Sequence, residues 1–390
     1  MISVDAALAH LLDLVAPLDV EHVPLRRANG RVLAQPITAR RMQPPFDASS
    51  MDGYALRRVE VESGAMFEVV GEAAAGHAFV DQLRPGQAVR IFTGAPLPPG
   101  ADFVVIQEDV MRRGDVITLG HDIDGKANVR LAGSDFRVGE TLSAPRVLRP
   151  ADIALLAAMN AAQVPVTRKP KVAILATGDE LVQPGEIAAA DQIIASNNYG
   201  LAALLEGLGA ETRLLPIAKD NAASLRQGFE LSRGADLLVT IGGASVGDHD
   251  LVGSIAAEMG LERSFYKVAM RPGKPLMAGR LDHMAMVGLP GNPVSAMVCG
   301  TVFLAPMVRK MLGMTTLHAP LHKAPLACDL GQNGPRVHYM RARIDAGTIT
   351  PNARQDSALL SVLNQANALL IRPAHDPAQR RGVMMPYIKI

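Results

Sequence analysis

The 390-residue chain contains no tryptophan, and Phe and Tyr bring its aromatics to only 4%. A surface that stacks successive bases needs aromatic platforms, so a nucleic-acid partner is not expected. Only two cysteines occur, Cys299 and Cys328. They form neither a disulfide framework nor a metal-binding spacing, and no His-rich or Cys-rich cluster suggests Zn²⁺. Cys299 falls on the apolar side of a predicted helix, where core packing accounts for it. No run of about 18 apolar residues predicts a membrane span, and the N-terminus lacks a signal-peptide layout. Net charge is +1, and the double-Arg pairs, from Arg26-Arg27 to Arg380-Arg381, are scattered rather than gathered into a tail. The nucleotide signatures G-x-G-x-x-G and G-x-x-x-x-G-K-[ST] are missing. Ser245 has no evident His partner, so a hydrolytic triad is weak. These absences predict a cytoplasmic chain with neither a nucleic-acid nor a membrane partner.

What is present is aliphatic. With 48% hydrophobic residues, the chain can build two to four cored domains. Val4, Ala7, Leu8, Leu11, Leu12 and Val15 mark one face of a helix capped by Ser3 and ended by Pro17. Residues 18–41 read as short extended pieces. Met42 to Asp47 is stiffened by two prolines and predicts a boundary. Short β-rich runs then follow, at 67–70, 88–92, 103–106 and 116–119, separated by Gly, Pro and Asp. Pro150 opens an alanine-rich helix expected to return beside the N-terminal one, which makes the β-rich stretch an insertion. From Lys169 strands alternate with helices: strands near 172–176, 214–218, 237–241, 265–270, 276–278 and 284–289. Asn197 or Asn198, Asp220, and Asn292 with Pro293 are candidate helix starts. This alternation predicts a parallel, doubly wound sheet. The tail, with strands at 337–344, 368–372 and 383–390, predicts a small all-β domain. Ser357 and Ser361 there read as polar surface.

The stretch Asp236 to Asp250 concentrates the chemistry. An apolar strand ends at Gly242-Gly243, and an acidic loop leads to a helix face at Leu251, Val252, Ile255, Ala256 and Met259. Either Asp248 or Asp250 can cap that helix, and Gly260 stops it. In open α/β sheets ligands bind at such strand ends. Four loops should share that edge: Gly178-Asp179-Glu180, Asp220, Gly242 to Asp250, and Gly291-Asn292. Glycine N–H groups and helix N-termini favour a phosphate or other anion, whereas carboxylates repel it. The conflict is removed by a hard cation, since Mg²⁺ takes one or two carboxylates plus phosphate oxygens. Lys267, Arg271 and Lys274 either add fixed positive charge or face solvent. In the β-rich stretch Asp52, Thr93, Glu108, Asp109 and Asp135 stand out, each also explained by a turn or strand end.

Taken together, Ser50-Met51-Asp52-Gly53-Tyr54-Ala55, Thr93-Gly94-Ala95-Pro96, Thr177-Gly178-Asp179-Glu180-Leu181, Gly242 to Gly247, Pro272-Gly273-Lys274-Pro275 and Gly288 to Ser295 resemble the molybdopterin molybdenumtransferases. This is the bacterial MoeA family, similar to the gephyrin E domain. The motifs occur in the family's order over essentially the whole chain. The resemblance implies an α/β multidomain fold. Its parts are a doubly wound α/β molybdopterin-binding domain (169–314), an inserted β-rich domain (46–140), a helical and extended N-terminal domain (1–45 plus 141–168) and a C-terminal β-barrel-like domain (315–390).

It also implies a homodimer that transfers molybdate to adenylated molybdopterin and releases AMP with Mg²⁺. By motif position, Asp52, Thr93 and Asp135, with Arg130 nearby, line the cleft from the inserted domain. Glu180, Asp220, Asp250 and Lys267 line it from the α/β domain. Asp52, Thr93, Asp135, Glu180 and Lys267 are then catalytic. Glu180, Asp220 and Asp250 are expected to hold the metal, and Thr93 with the glycine N–H groups to bind molybdate oxygens. Arg130, Asp220, Gly242, Gly243, Ser245, Asp250, Arg271, Lys274, Pro290, Gly291 and Asn292 are expected to bind substrate. Arg271 stands where the family commonly has Lys, and Arg130 is the one Arg kept of a usual cluster. Two rivals remain, a molybdopterin adenylyltransferase and a pterin-binding scaffold. Nothing in the sequence separates molybdate from tungstate.

Overall fold

The computed structural model describes residues 1–243 and 251–390. Ser3 caps the first helix, Val4–Asp13, accepting a hydrogen bond from the Ala6 N–H at 3.1 Å. The chain then forms an antiparallel four-stranded sheet in the order Val20–Pro24, Gln163–Thr167, Val32–Leu33, Arg146–Val147. Strands from both sides of residues 39–141 therefore sit in one sheet.

The helix Pro150–Ala158 packs on this sheet, with Leu156 and Met159 against Val23, Leu33 and Val164. It does not return beside the first helix, as the sequence suggested. Val4, Ala7 and Leu11 belong to a different core, with Phe303, Met307 and Met311. Apolar periodicity identifies the face that must be covered but not the element that covers it.

Between these strands lies a six-stranded sheet in the order Phe103–Ile106, Gly53–Leu56, Gln87–Ile91, Met66–Ala73, Val116–Leu119, Val110–Arg113. Asp52-Gly53 is not the hairpin turn its dipeptide suggests. Gly53 opens a strand pressed so closely on its neighbour that a Cβ there would stand 2.0 Å from the Val105 carbonyl oxygen. Glycine serves here for close approach.

The α/β sheet runs in the order Glu211–Leu214, Lys171–Ala176, Leu237–Ile241, Met284–Leu289, Met277–Leu281, Glu262–Phe265. The first four strands are parallel, and the last two are antiparallel additions. Val172, Ile174 and Val239 face one core, whereas Ala173, Leu175 and Leu238 face the other. This alternation, apolar on both sides, is what double winding requires. Two strands lie earlier than the sequence suggested. The 214–218 strand is Glu211–Leu214, with Ala218 making only an isolated bridge to Thr177. The 265–270 strand is Glu262–Phe265, because Val268 instead bridges Ile2 and Met270–Arg271 pairs with Val337-His338 of the C-terminal sheet. Local composition favoured extended backbone there, but partner strands set where it pairs.

The helical run Pro293–Met311 is long and apolar enough to cross a membrane, yet 78% of it is buried in the α/β core. Cys299 is fully buried there.

In the C-terminal sheet Val337–Asp345, Ala368–Arg372, Met384–Lys389 and His322–Pro325 follow one another, and Thr348–Pro351 pairs back on Val337–Asp345. A bridge between Leu326 and Ile349 joins the two ends, so the sheet closes as a small barrel. Tyr339 and Leu369 turn outward into the α/β core, while Ala342 and Leu370 fill the barrel.

Candidate active site

From Lys171–Ala176 the chain crosses to Glu211–Leu214 on one side, then to Leu237–Ile241 on the other. The reversal opens a crevice at the carboxyl ends of the two central strands, where doubly wound sheets hold ligands. A cavity of about 630 Å³ lies there, lined by Thr177, Gly178, Glu180, Asp220, Gly242, Gly243 and Pro290 to Pro293. Gly242 has φ +100°, and a Cβ on it would fall 2.5 Å from the Thr177 carbonyl oxygen. Only glycine allows this turn to close without strain. The Gly242 N–H donates to the Leu289 carbonyl at 3.1 Å, which draws the Gly291 loop against it.

Two carboxylates, Glu180 and Asp220, line this floor, with Asp179 beside Asp220. The Glu180 carboxylate folds over Gly178, where a Cβ would meet its oxygen at 2.4 Å. The Asp220 N–H donates to Asp179 Oδ1 at 3.2 Å. The Asp220 carboxyl is raised above the usual carboxylate range, first by loss of solvent, then by the charges of Asp179 and Glu180. Asp220 does not cap the following helix, as the sequence allowed. Asn221 does so, accepting from the Ser224 N–H, which leaves the Asp220 carboxylate to the cavity.

Sequence reading missed two polar residues of this wall. Neither Asn197 nor Asn198 caps its helix, since the N-cap residue is Ser196. Asn197 Nδ2 donates to the Gly291 carbonyl at 2.7 Å. Asn198 is 2% exposed, and its Oδ1 has no hydrogen-bond partner. Asn292 stands at the N-cap position with Pro293 after it, but makes no side-chain cap bond. A capping residue and a ligand-facing residue share the same amino-acid preference, so sequence could not separate the roles.

A second cavity, of about 330 Å³, adjoins the first and shares Pro275, Pro290 and Asn292 with it. Its lining is cationic: Arg271, Lys274 and Arg336, with Gln355, Asp356 and Ser357 opposite. Ser357, read from sequence as polar surface, is thus part of a cavity wall. Its carbonyl accepts from the Val294 N–H at 3.0 Å, which ties the C-terminal unit to the helix following Asn292. Arg336 carried no motif and was not singled out. Lys267 lines neither cavity; its Nζ lies 5.5 Å from the centre of the Tyr266 ring, and its carbonyl accepts from the Ile2 N–H.

The remaining expected residues form a separate group on the inserted unit. Strand Ala48–Ser49 pairs with Val129–Arg130 and hydrogen-bonds to Gly94 and Ala95, which brings Asp52, Thr93 and Arg130 onto one framework. Asp52 Oδ1 accepts from both the N–H and the hydroxyl of Thr93, each at 2.8 Å. Those bonds hold the Asp52 carboxyl below its ordinary range, the backbone bond most. The Asp135 side chain is exposed, and its N–H donates to the Gln43 carbonyl. Within one chain none of the four lines either cavity. Ser245 and Asp250 lie outside the described residues.

Comparison with known proteins matches residues 2–160 to the MoeA N-terminal region (domain I and II), 173–310 to a probable molybdopterin binding domain, and 323–384 to the MoeA C-terminal region (domain IV). A molybdopterin molybdenumtransferase of Nostoc sp. is 39% identical over 333 residues, covering 83% of this chain and 76% of its own length. The chain belongs to the molybdopterin molybdenumtransferase (MoeA) family. The Haemophilus influenzae molybdopterin molybdenumtransferase is 35% identical, with 84% of this chain and 82% of that protein covered. The molybdopterin biosynthesis moeA protein from Pyrococcus horikoshii OT3 superposes with a TM-score of 0.85 at 28% identity, over 100% of both chains. The multidomain fold expected from the sequence is thus the MoeA fold.

Proposed function

We propose that this chain transfers molybdenum from molybdate to the dithiolene of adenylated molybdopterin and releases AMP. Family membership makes it a transferase of molybdenum cofactor biosynthesis. The observation that carries the finer reading is the pair of cavities sharing Pro275, Pro290 and Asn292. One presents glycine loops and carboxylates at strand ends, chemistry suited to a phosphate ester with a cation. The other presents Arg271, Lys274 and Arg336, chemistry suited to an oxyanion such as molybdate. A shared wall keeps the two reactants adjacent, which is the main requirement for transfer between them.

Asp220, raised first by loss of solvent and then by the charges of Asp179 and Glu180, fits a hard cation. Among the described residues no three His, Cys, Asp or Glu side chains form a metal cage, so the remaining ligands would be phosphate oxygens and water. Glu180 and Asp220 would hold Mg²⁺, with Asp250 the third expected ligand; when bound, the ion supplies charge neutralisation at the phosphates. The glycine N–H groups orient the phosphates, and Asn198 Oδ1 offers a buried acceptor to the pterin.

A homodimer is part of the proposal. Asp52, Thr93, Arg130 and Asp135 lie away from both cavities of their own chain, and a second copy could bring them to the cleft. So are the domain limits 1–45 plus 141–168, 46–140, 169–314 and 315–390, supported by the four sheets of four or more strands, and a cytoplasmic location, supported by the two free cysteines, Cys299 and Cys328.

The test is AMP release from adenylated molybdopterin with Mg²⁺, with and without molybdate, and with tungstate in parallel. Molybdate-dependent release is expected. ATP consumption with unadenylated molybdopterin, or tight pterin binding without AMP release, would overturn the assignment.

A further inference from the structure

Arg341 is the largest fully buried side chain of the described residues, at 0% exposure. It stands on the barrel strand Val337–Asp345, at the junction with the α/β unit. Its Nη2 donates to the carbonyls of Asp356 at 2.8 Å and Arg354 at 3.4 Å. Its backbone is clasped by Gln355, whose Oε1 accepts from the Arg341 N–H and whose Nε2 donates to the Arg341 carbonyl. Arg341 therefore anchors Arg354, Gln355 and Asp356, while the Val294 N–H holds Ser357, and this segment supplies Gln355, Asp356 and Ser357 to the wall of the cationic cavity.

A structural strut would be expected to satisfy its own donors. Arg341 does not: Nε and Nη1 have no hydrogen-bond partner. The nearby Asp356 uses Oδ1 to accept from the Ala358 N–H and contacts the guanidinium through its carbonyl. Burial lowers the Arg341 pKa, the charge of Asp356 opposes that shift, and like-charge repulsion from Arg271 on the cavity wall adds to it. Burial with two unpaired donors and a cationic neighbour is unfavourable and only partly offset by Asp356, and an anion beside Arg341 would relieve it.

We propose that Arg341 is a positioning residue for the oxyanion cavity, setting its affinity from behind the wall. It fixes residues 354–356 and contributes a positive charge that water does not screen. An apolar residue of similar length would preserve packing but provide neither effect. The proposal rests on the reading that this cavity receives an oxyanion.

The test measures molybdate binding by calorimetry, together with KM for molybdate and kcat of AMP release. It uses the full-length wild type, Arg271→Ala, Arg341→Met and Arg341→Lys. Arg341→Met should keep a cooperative thermal transition at a lower Tm, because it fills much of the same volume but leaves the Arg354 and Asp356 carbonyls without their donor. Its Kd and KM for molybdate should rise about tenfold with kcat little changed, the order of one lost charge-assisted contact. Arg341→Lys should recover part of that loss.

A folded Arg341→Met with wild-type affinity would overturn the proposal, leaving Arg341 a structural strut. Should Arg341→Met fail to fold, unaltered affinity in Arg341→Lys overturns it equally, because a lysine cannot span both carbonyls. Binding that ignores Arg271→Ala would overturn the oxyanion reading of the cavity and this inference with it. Binding that depends on Arg271 but not on Arg341 would overturn this inference alone.

Discussion

The strand-end loops of the α/β unit and the rim of the inserted sheet both present acids in glycine-containing motifs, yet they dispose of charge in opposite ways. On the rim, Asp52 is satisfied at once by two donors from Thr93, and its carboxyl is held low. On the strand ends, Asp220 is raised by loss of solvent and by the neighbouring charges of Asp179 and Glu180. Self-satisfied acids are stable alone and wait for a surface from elsewhere. Mutually repelling acids store unfavourable charge that a cation can relieve. The difference is the physical case for a site assembled from two unlike halves.

The sharpest way to break this comparison is to inactivate each half. Glu180→Ala and Asp52→Ala should each slow AMP release on the order of a hundredfold or more while leaving thermal unfolding nearly unchanged. If the halves come from different copies, an equal mixture of the two inactive proteins should recover about a quarter of wild-type activity, since half the dimers carry one intact site. Absence of recovery in a confirmed mixed dimer would place the site within one chain. Gly242→Ala comes next. With φ +100° and the Thr177 carbonyl in the way, it should destabilise the fold by roughly 1–3 kcal/mol and depress substrate binding, read from Tm and KM.

Asp220→Asn sharpens the comparison through pH. A carboxyl whose folded pKa is raised contributes stability below its unfolded value of about 3.8, and loses it as pH rises through the folded pKa. Metal-free Asp220→Asn should therefore melt slightly above wild type at neutral pH, with the advantage fading as pH falls through the carboxylate range. Partial exposure keeps this effect small. Saturating Mg²⁺ should erase or reverse it, because the ion stabilises the native wild type. The smallest effect is expected at Thr93→Val, where the hydroxyl bond to Asp52 goes but the stronger backbone bond stays. The Asp52 titration, followed by NMR, should move upward slightly with Tm unchanged.

How far the sequence reaches depends on what kind of statement is made. Double winding was legible because Val172 to Ala176 is apolar at every position and Leu237 to Ile241 at all but Thr240, which a strand covered on both faces favours. The glycine loops at Gly178 and Gly242 were legible because few other residues fit such turns. The caps were not. Asp220, Asn197 and Asn292 all look like helix starts, yet none caps by its side chain, because Asn221 takes one cap and Ser196 occupies another. Strand limits at 211–214 and 262–265 shifted for a related reason: pairing is decided by the neighbour, and Met270–Arg271 pairs with the C-terminal sheet.

The amino-acid sequence by itself determined the elements, the family motifs and the chemistry of the strand-end cavity, since these depend on side-chain volume, periodicity and backbone freedom within short windows. Only the tertiary structure decided that Arg336 and Ser357, neither in a recognised motif, join Arg271 and Lys274 around a second cavity. It also decided that the first helix belongs to the α/β core, and that Arg341 lies buried with two donors unspent. Each of these brings together residues from distant parts of the chain, and such encounters are set by how whole units pack.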